Sequence, residues 1–194
     1  MILNRFCFFI YMCLLTGFFF NATHLYAYDS KAIWIPHKYK EHAEKAVNDN
    51  PEDIPEHVLI RQGLAIVFPT PETDLTTLYA LEKDAMAQKR GLWTDNQYYT
   101  SQPEKLNKAK NRIQIITATV QDASMQKDWL YLNFGEDWKT DFTVGIPKPD
   151  LYIFRKHDID PASWVGKTIH VRGWLTQRNG PFIKVTHPVQ IQID

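Results

Sequence analysis

The chain has 194 residues, of which 44% are hydrophobic, and its 22 basic and 22 acidic residues give a formal net charge of zero at pH 7. The chain therefore lacks the strong basic excess that would by itself indicate a nucleic-acid partner, and its net charge neither supports nor excludes a polyanion partner. The length suits one larger domain or two small ones. Both cysteines, Cys7 and Cys13, lie close to the N-terminus.

The N-terminal residues have the layout of a secretory signal. Arg5 gives a positive start, and residues 6–20 form an apolar run that is shorter than the roughly 20 residues of a spanning helix. We therefore expect a signal peptide in residues 1–27, an exported chain that is periplasmic or secreted, and no stable membrane span after cleavage. Retention of the signal as an anchor is the alternative. Residues 28–194 contain no cysteine, so they must fold by core packing without disulfides.

Residues 28–109 carry helical patterns separated by turn formers. Residues 38–47 are typical of a polar helix, and residues 56–65 of a short helix that contains Gly63. A glycine inside a helix costs about 1 kcal/mol relative to alanine, which indicates close packing at that point.

A second, better specified helix is predicted over residues 75–90, where apolar residues recur at spacings of three and four. Asp74 or Thr73 can cap its start, and Gly91 ends it. Leu92 and the tryptophan that follows it are expected to fold back onto the helix. The polar residues from 94 to 110 are typical of a linker or of a short polar helix.

After residue 110 the pattern changes to the alternation of β-strands. Five strands are predicted, with a helical connection over residues 151–164: 112–121, 129–134, 141–146, 168–175 and 182–186. A further extended piece is predicted over residues 189–193. Three strands, a helix and two strands is the order of an OB-fold, a five-stranded Greek-key barrel. An immunoglobulin-like sandwich needs about seven strands and no central helix. Residues 110–194 are therefore predicted to form an OB-like β-barrel.

Two parts of the chain resemble a known family. LIRQGLAIVFPTPETDLTTLYALEKDAMAQKRGLW, residues 59–93, resembles the last third of a thermonuclease (staphylococcal-nuclease-like) domain. YLNFGEDWKTDFTVGI and GKTIHVRGWLTQRNGPFIKVTHPVQIQI resemble the accessory C-terminal domain of some bacterial thermonuclease-family proteins. The resemblance implies an α+β chain in which a short helical thermonuclease-like remnant (28–109) precedes a small five-stranded OB-like β-barrel (110–194).

The resemblance does not carry the family's catalytic residues with it. Such nucleases need carboxylates that hold Ca²⁺, a carboxylate that positions water, and two arginines for the phosphate transition state. The family places them in D-x-D-T-like, R-x-x-G-I-D-x-P-E-like and D-x-Y-G-R-like segments, none of which occurs in this sequence. Arg61 lies in the matching helix, but it does not correspond to either catalytic arginine.

Other catalytic or metal-binding patterns are also missing from the sequence. His37 and His42 are not spaced as H-x-x-x-H, the pattern of a helical zinc pair. Asp49, Glu52 and Asp53 read as a turn-rich acidic loop without the glycine-containing calcium pattern. We therefore expect no catalytic residue, no metal ligand and no cofactor, with Ca²⁺ required only if the chain is a nuclease.

Alternation on the predicted strands places aromatic and basic side chains on the outside of the barrel. The candidates for ligand binding are Trp129, Tyr131, Arg172, Trp174 and Lys184. OB-folds bind oligonucleotides and oligosaccharides, and aromatic platforms with basic neighbours suit single-stranded nucleic acid. Packing of these side chains against the helical segment is the competing interpretation.

The sequence thus predicts an exported, non-catalytic binding module for single-stranded nucleic acid or another extended polymer. One alternative is a calcium-dependent nuclease of the thermonuclease family whose barrel is replaced or supplied by a partner chain. Another is a structural or interaction protein of the envelope with an envelope protein as partner, which the near-neutral charge motivates.

Overall fold

The computed structural model describes residues 32–70, 74–106, 112–137 and 139–193. The predicted signal peptide, residues 1–27, lies outside these ranges. Among the helices of the described ranges, none combines the length and apolar character that crossing a membrane requires.

The described residues form a mixed α and β structure in which the sheet dominates. Its four short α-helices are α1 (Lys40–Asn48), α2 (Pro55–Arg61), α3 (Thr76–Ala87) and α4 (Leu151–Lys156). The strands are β1 (Ile33–Trp34), β2 (Ile66–Val67), β3 (Tyr99–Thr100), β4 (Arg112–Thr119), β5 (Asp122–Gln126), β6 (Trp129–Asn133), β7 (Thr143–Pro147), β8 (Thr168–Arg178), β9 (Gly180–Lys184) and β10 (Ile191–Ile193).

The strands are divided between a small sheet and a large one. β1 pairs antiparallel with β2 in the small sheet. The large sheet has the order β3–β4–β8–β9–β7–β6–β5, and β10 pairs with β8 beside β9. Within it, β7 and β9 run parallel, as do β3 and β4, and the other neighbours are antiparallel.

The large sheet curls, because β4 and β5 are consecutive in the chain but lie far apart in the strand order. Val120 and Gln121 join these two strands. The N–H of Val120 donates to the Lys167 carbonyl just before β8, whereas the N–H of Gln121 donates to the Asn133 carbonyl of β6. Two adjacent residues therefore bond next to β8 and to β6, which β9 and β7 separate in the strand order.

This arrangement is OB-like, with β4 and β5 as two halves of one bent strand and α4 between β7 and β8. The predicted five-stranded barrel is wrong in two respects: within the described residues the sheet has eight strands, and no ladder there pairs its end strands β3 and β5 to close it. β5 was not predicted, because its sequence, DASMQ, has no fully buried residue and shows no clear apolar alternation. β3 lies inside the predicted linker.

The interior of the curled sheet holds its main hydrophobic core. Leu130 and Leu132 of β6 lie there, as predicted, with Val144 and Ile146 of β7. Phe154 of α4 is fully buried against the same core, so this short helix closes one side of it.

In the helical part, Gly63 and Gly91 pack against each other. The predicted helix ends earlier than expected, at Arg61, so Gly63 follows it with a φ of +67°. The Leu92 N–H donates to the Gly63 carbonyl at 2.8 Å. A Cβ on Gly63 would lie 2.3 Å from the Arg90 carbonyl oxygen, and one on Gly91 would lie 2.3 Å from that of Gly63. Close packing at Gly63 is thus confirmed.

The start of α3 also agrees with the sequence. Asp74 Oδ1 accepts a hydrogen bond from the Thr76 N–H at 3.0 Å. This bond holds the pKa of the Asp74 carboxyl below its ordinary value, because it favours the charged form. The other predicted cap, Thr73, lies outside the described residues.

Candidate ligand-binding face

The five predicted binding residues fall into two groups. Trp129, Tyr131 and Lys184 lie on the outer face of β6 and β9. Arg172 and Trp174 lie on the outer face of β8, which the helical part approaches.

Arg172 is buried, so the expectation that its side chain is available to a ligand is wrong. It is only 7% exposed, and its Nη1 donates to Glu82 Oε2 at 2.8 Å and to the Val67 carbonyl at 3.0 Å. The other Glu82 oxygen accepts the Val67 N–H at 2.8 Å. The guanidinium also lies 4.5 Å from the centre of the Tyr79 ring. The competing interpretation, packing against the helical segment, is correct for this residue.

Tyr79 of α3 lies in the same buried contact between α3 and β8, named here the buried junction. Its hydroxyl donates to the Val189 carbonyl at 3.1 Å. Burial raises the pKa of the Tyr79 hydroxyl, because the phenolate is costly to desolvate, and the nearby Arg172 cation opposes this shift.

Trp174 contacts the helical part as Arg172 does, but it is more exposed than Arg172. Its ring meets the ring of Trp34 edge to face at 5.9 Å, and Trp34 meets Tyr98 in the same way at 5.8 Å. Trp174 nevertheless remains 41% exposed. It therefore borders the helical part and is removed from the aromatic group on β6.

Four side chains form an aromatic and cationic cluster, named here the platform, of which Phe182 is buried: Trp129, Tyr131, Arg178 and Phe182. Trp129 and Tyr131 stack with their centroids 6.2 Å apart and their planes 19° apart, and Phe182 meets Trp129 edge to face at 5.9 Å. The exposed Arg178 guanidinium covers all three rings, at 4.6 Å from the centre of Trp129 and 5.5 Å from the other two. Distances below about 6 Å between a guanidinium and a ring centre are those of cation–π interactions.

Gly145 of β7 makes room for the platform. It pairs with Tyr131 on one side and Lys184 on the other. A Cβ at this position would lie 2.4 Å from Phe182 Cζ and 3.0 Å from Trp129 Cε3. The two rings therefore meet directly above the glycine, where any side chain would displace them.

A groove of about 600 Å³ runs beside the platform. Tyr131, Arg178 and Phe182 line one side of it, with Asn179 of the β8–β9 turn. The remaining lining residues, named here the polar wall, are Asp122, Ser124, Gln126, Asn133 and Thr143. The groove thus offers planar apolar surface, one guanidinium, one carboxylate and several neutral hydrogen-bonding groups.

The sequence missed Arg178 because residues 178–181, Arg-Asn-Gly-Pro, read as a turn. β8 instead continues to Arg178, and Asn179 alone forms the turn, with a φ of +64°. Extending the outward series His170, Arg172 and Trp174 by two further alternate steps would have reached Arg178.

The acidic loop after α1 makes local ion pairs. Asp49 bonds to Lys45 at 2.5 Å, and Asp53 bonds to Arg61 at 3.1 Å. In the part of the chain that the structure describes, no group of three or more His, Cys, Asp or Glu residues is placed to hold a metal ion.

Comparisons with known proteins give little further information. No protein-family model matches the chain, and no curated protein matches it. Among solved structures, "Crystal structure of p204 HINb domain" aligns at 13% identity and a TM-score of 0.34, over 68% of this chain and 59% of that one. The chain therefore spans less than two thirds of that structure, and a likeness this distant carries no functional information. The relation to thermonucleases stays a prediction.

Proposed function

We propose that this chain binds single-stranded nucleic acid on the platform and its groove, without cleaving it. The observation that carries the proposal is the exposed Arg178 guanidinium lying on three aromatic rings at the edge of an open groove. The proposal includes export to the periplasm or medium, motivated by the N-terminal sequence alone. It also assigns binding to residues 110–194, with the helical residues 28–109 as support.

Stacking supplies the main part of the expected affinity. Every base has a π-face, and stacking on an aromatic side chain contributes about 1–3 kcal/mol per base. An arginine plane that covers aromatic rings also offers a flat cation on which a base can stack. The half-buried rings of Trp129 and Tyr131 add planar surface below it.

Phosphate contacts are expected to be few, because Arg178 and Lys184 are the cations on the outer faces of β8 and β9 nearest the rings. Two phosphate contacts on a single strand give a slope of about −1.4 for log affinity against log salt. Affinity should then fall only about 7-fold between 50 and 200 mM salt. A steep salt dependence would place the contact on some other, more basic surface.

The test is fluorescence anisotropy of labelled single-stranded oligonucleotides titrated with the purified chain at both salt concentrations. We expect Arg178→Ala to weaken binding about tenfold or more, because it removes a stacking plane and a charge. Arg155→Ala is the matched control, since Arg155 is an exposed arginine on α4. Absence of binding at low salt, or equal losses in the two variants, would contradict the proposal.

A further inference from the structure

The groove has chemically different sides, and the strand register fixes where they lie. Asp122 of β5 pairs with Asn133 of β6, which pairs with Thr143 of β7, which pairs with Phe182 of β9. This row runs from a carboxylate on one side of the groove to an aromatic ring of the platform on the other. Arg178 lies over that ring.

Hydrogen bonds orient the polar wall along the same row. Thr143 Oγ1 donates to Asn133 Oδ1 at 3.4 Å, and Asn133 Nδ2 donates to Asp122 Oδ2 at 3.3 Å. Asn133 is thereby held with its N–H group toward the carboxylate. Next to them, Gln126 Nε2 donates to Ser124 Oγ at 2.8 Å. The hydroxyl hydrogen of Ser124 is then directed elsewhere, so that this side chain can donate.

The carboxylate makes the polar wall unsuitable for phosphate and suitable for hydroxyl groups. An ionised aspartate accepts hydrogen bonds and donates none, so it repels a phosphate and attracts an O–H. Asp122 is exposed at the groove. A strand whose bases stack on the platform and whose phosphates face Arg178 and Lys184 keeps its phosphates away from Asp122, which leaves the sugar hydroxyls as the backbone donors available to this carboxylate.

We infer that the groove selects RNA over DNA, with Asp122 accepting a hydrogen bond from a ribose 2′-hydroxyl. This inference rests on the proposed function, because it needs a single strand held on the platform. A carboxylate is the acceptor that dinucleotide-binding proteins use for the same hydroxyl, and the 2′-hydroxyl is the group that distinguishes the two nucleic acids. Ser124 and Asn133 are positioning residues at the edge of this contact.

The experiment compares an oligoribonucleotide with the oligodeoxyribonucleotide of the same sequence, uracil matched by deoxyuridine, at one salt concentration. The unmodified chain should bind RNA at least about tenfold more tightly. Asp122→Asn should weaken RNA binding and leave DNA binding unchanged or stronger, because the amide removes the repulsion of phosphate. The ratio should then fall to about twofold or less, which a loss of folding cannot produce since both ligands would weaken together.

Asp128→Asn is the matched control, because Asp128 is an exposed aspartate in the β5–β6 turn and makes the same change in charge. It should keep the RNA-to-DNA ratio of the unmodified chain. Equal affinity of that chain for RNA and DNA overturns the inference and leaves the proposed function in place. Binding of neither nucleic acid overturns both, as does binding only of a neutral oligosaccharide tested beside them.

Discussion

Replacing Glu82 with alanine removes one half of the ion pair that ties α3 to β8 and leaves the Arg172 cation enclosed. The two side chains are 2% and 8% exposed and bond at 2.8 Å. Removing one partner from a buried pair costs about 3–5 kcal/mol, because the remaining charge is left without compensation. The Val67 N–H also loses its acceptor, so we expect the free energy of unfolding to fall by about 4 kcal/mol or more.

Asp49→Ala provides the comparison for this prediction. Asp49 pairs with Lys45 at 2.5 Å, but the two side chains are 58% and 75% exposed. An exposed pair contributes about 1 kcal/mol or less, since water screens it. Urea unfolding followed by circular dichroism measures both variants. A loss below about 1 kcal/mol in Glu82→Ala, similar to that in Asp49→Ala, would refute the assignment of Arg172 to a buried junction.

The double variant Glu82→Ala, Arg172→Ala sharpens the same test. Because the two residues contact each other, the double variant should lose less stability than the sum of the single variants, by about 1–3 kcal/mol. Additive losses would show that the two side chains act independently. Arg172→Ala should also leave oligonucleotide affinity unchanged wherever the variant remains folded.

Three further predictions concern glycine positions and pH. Gly145→Ala should weaken oligonucleotide binding strongly and lower the free energy of unfolding by only about 1–3 kcal/mol, since the new Cβ meets two side chains of the platform. Fluorescence anisotropy measures the first effect and urea unfolding the second. Unchanged affinity would contradict binding on the platform. Gly63→Ala should lower the free energy of unfolding by several kcal/mol, because the new Cβ meets backbone atoms. Gly166 has a φ of +81° but open space around a Cβ, so Gly166→Ala should lower it by only about 1–2 kcal/mol. Equal losses in urea unfolding would contradict the close contact at Gly63. The contribution of Tyr79 to the free energy of unfolding should be fully present below the ordinary tyrosine pKa of 10.0 and fall as pH rises above it, because the folded-state pKa of Tyr79 is raised and the unfolded chain releases its proton first. Tyr79→Phe should reduce this fall. A pH profile of unfolding that this substitution leaves unchanged would contradict the prediction.

Local patterns in the sequence predict much of the fold. Helical spacing located α3, and Asp74 marked its start, because capping depends only on neighbouring residues. The predicted end at residue 90 before Gly91 was wrong: α3 ends at Ala87, and Lys89 takes the left-handed backbone after the C-cap, with a φ of +51°. Alternation correctly placed Leu130 inside and Trp129 outside. β5 could not be found in this way, since Ala123, which packs against the core, and Met125 are its only apolar residues and give no clear apolar period.

The candidate site was predictable only in part, because alternation indicates a face and does not indicate what covers it. Trp129 and Arg172 both lie on outer faces of the large sheet, but α3 brings Glu82 against Arg172 and leaves Trp129 at a groove. That difference depends on contacts between residues that are 90 positions apart in sequence. Arg178 was missed for a local reason, since a one-residue turn at Asn179 extends β8 further than its Asn-Gly-Pro sequence indicates.

Ultraviolet cross-linking of a single-stranded oligoribonucleotide to the purified chain, with peptide mapping by mass spectrometry, tests the central proposal most directly. Binding on the platform should place the cross-links at Trp129 or Tyr131, and Arg178→Ala should reduce them while Arg155→Ala does not. Cross-links confined to the helical residues 32–70, or cross-linking that is unaffected by Arg178→Ala, would contradict the account.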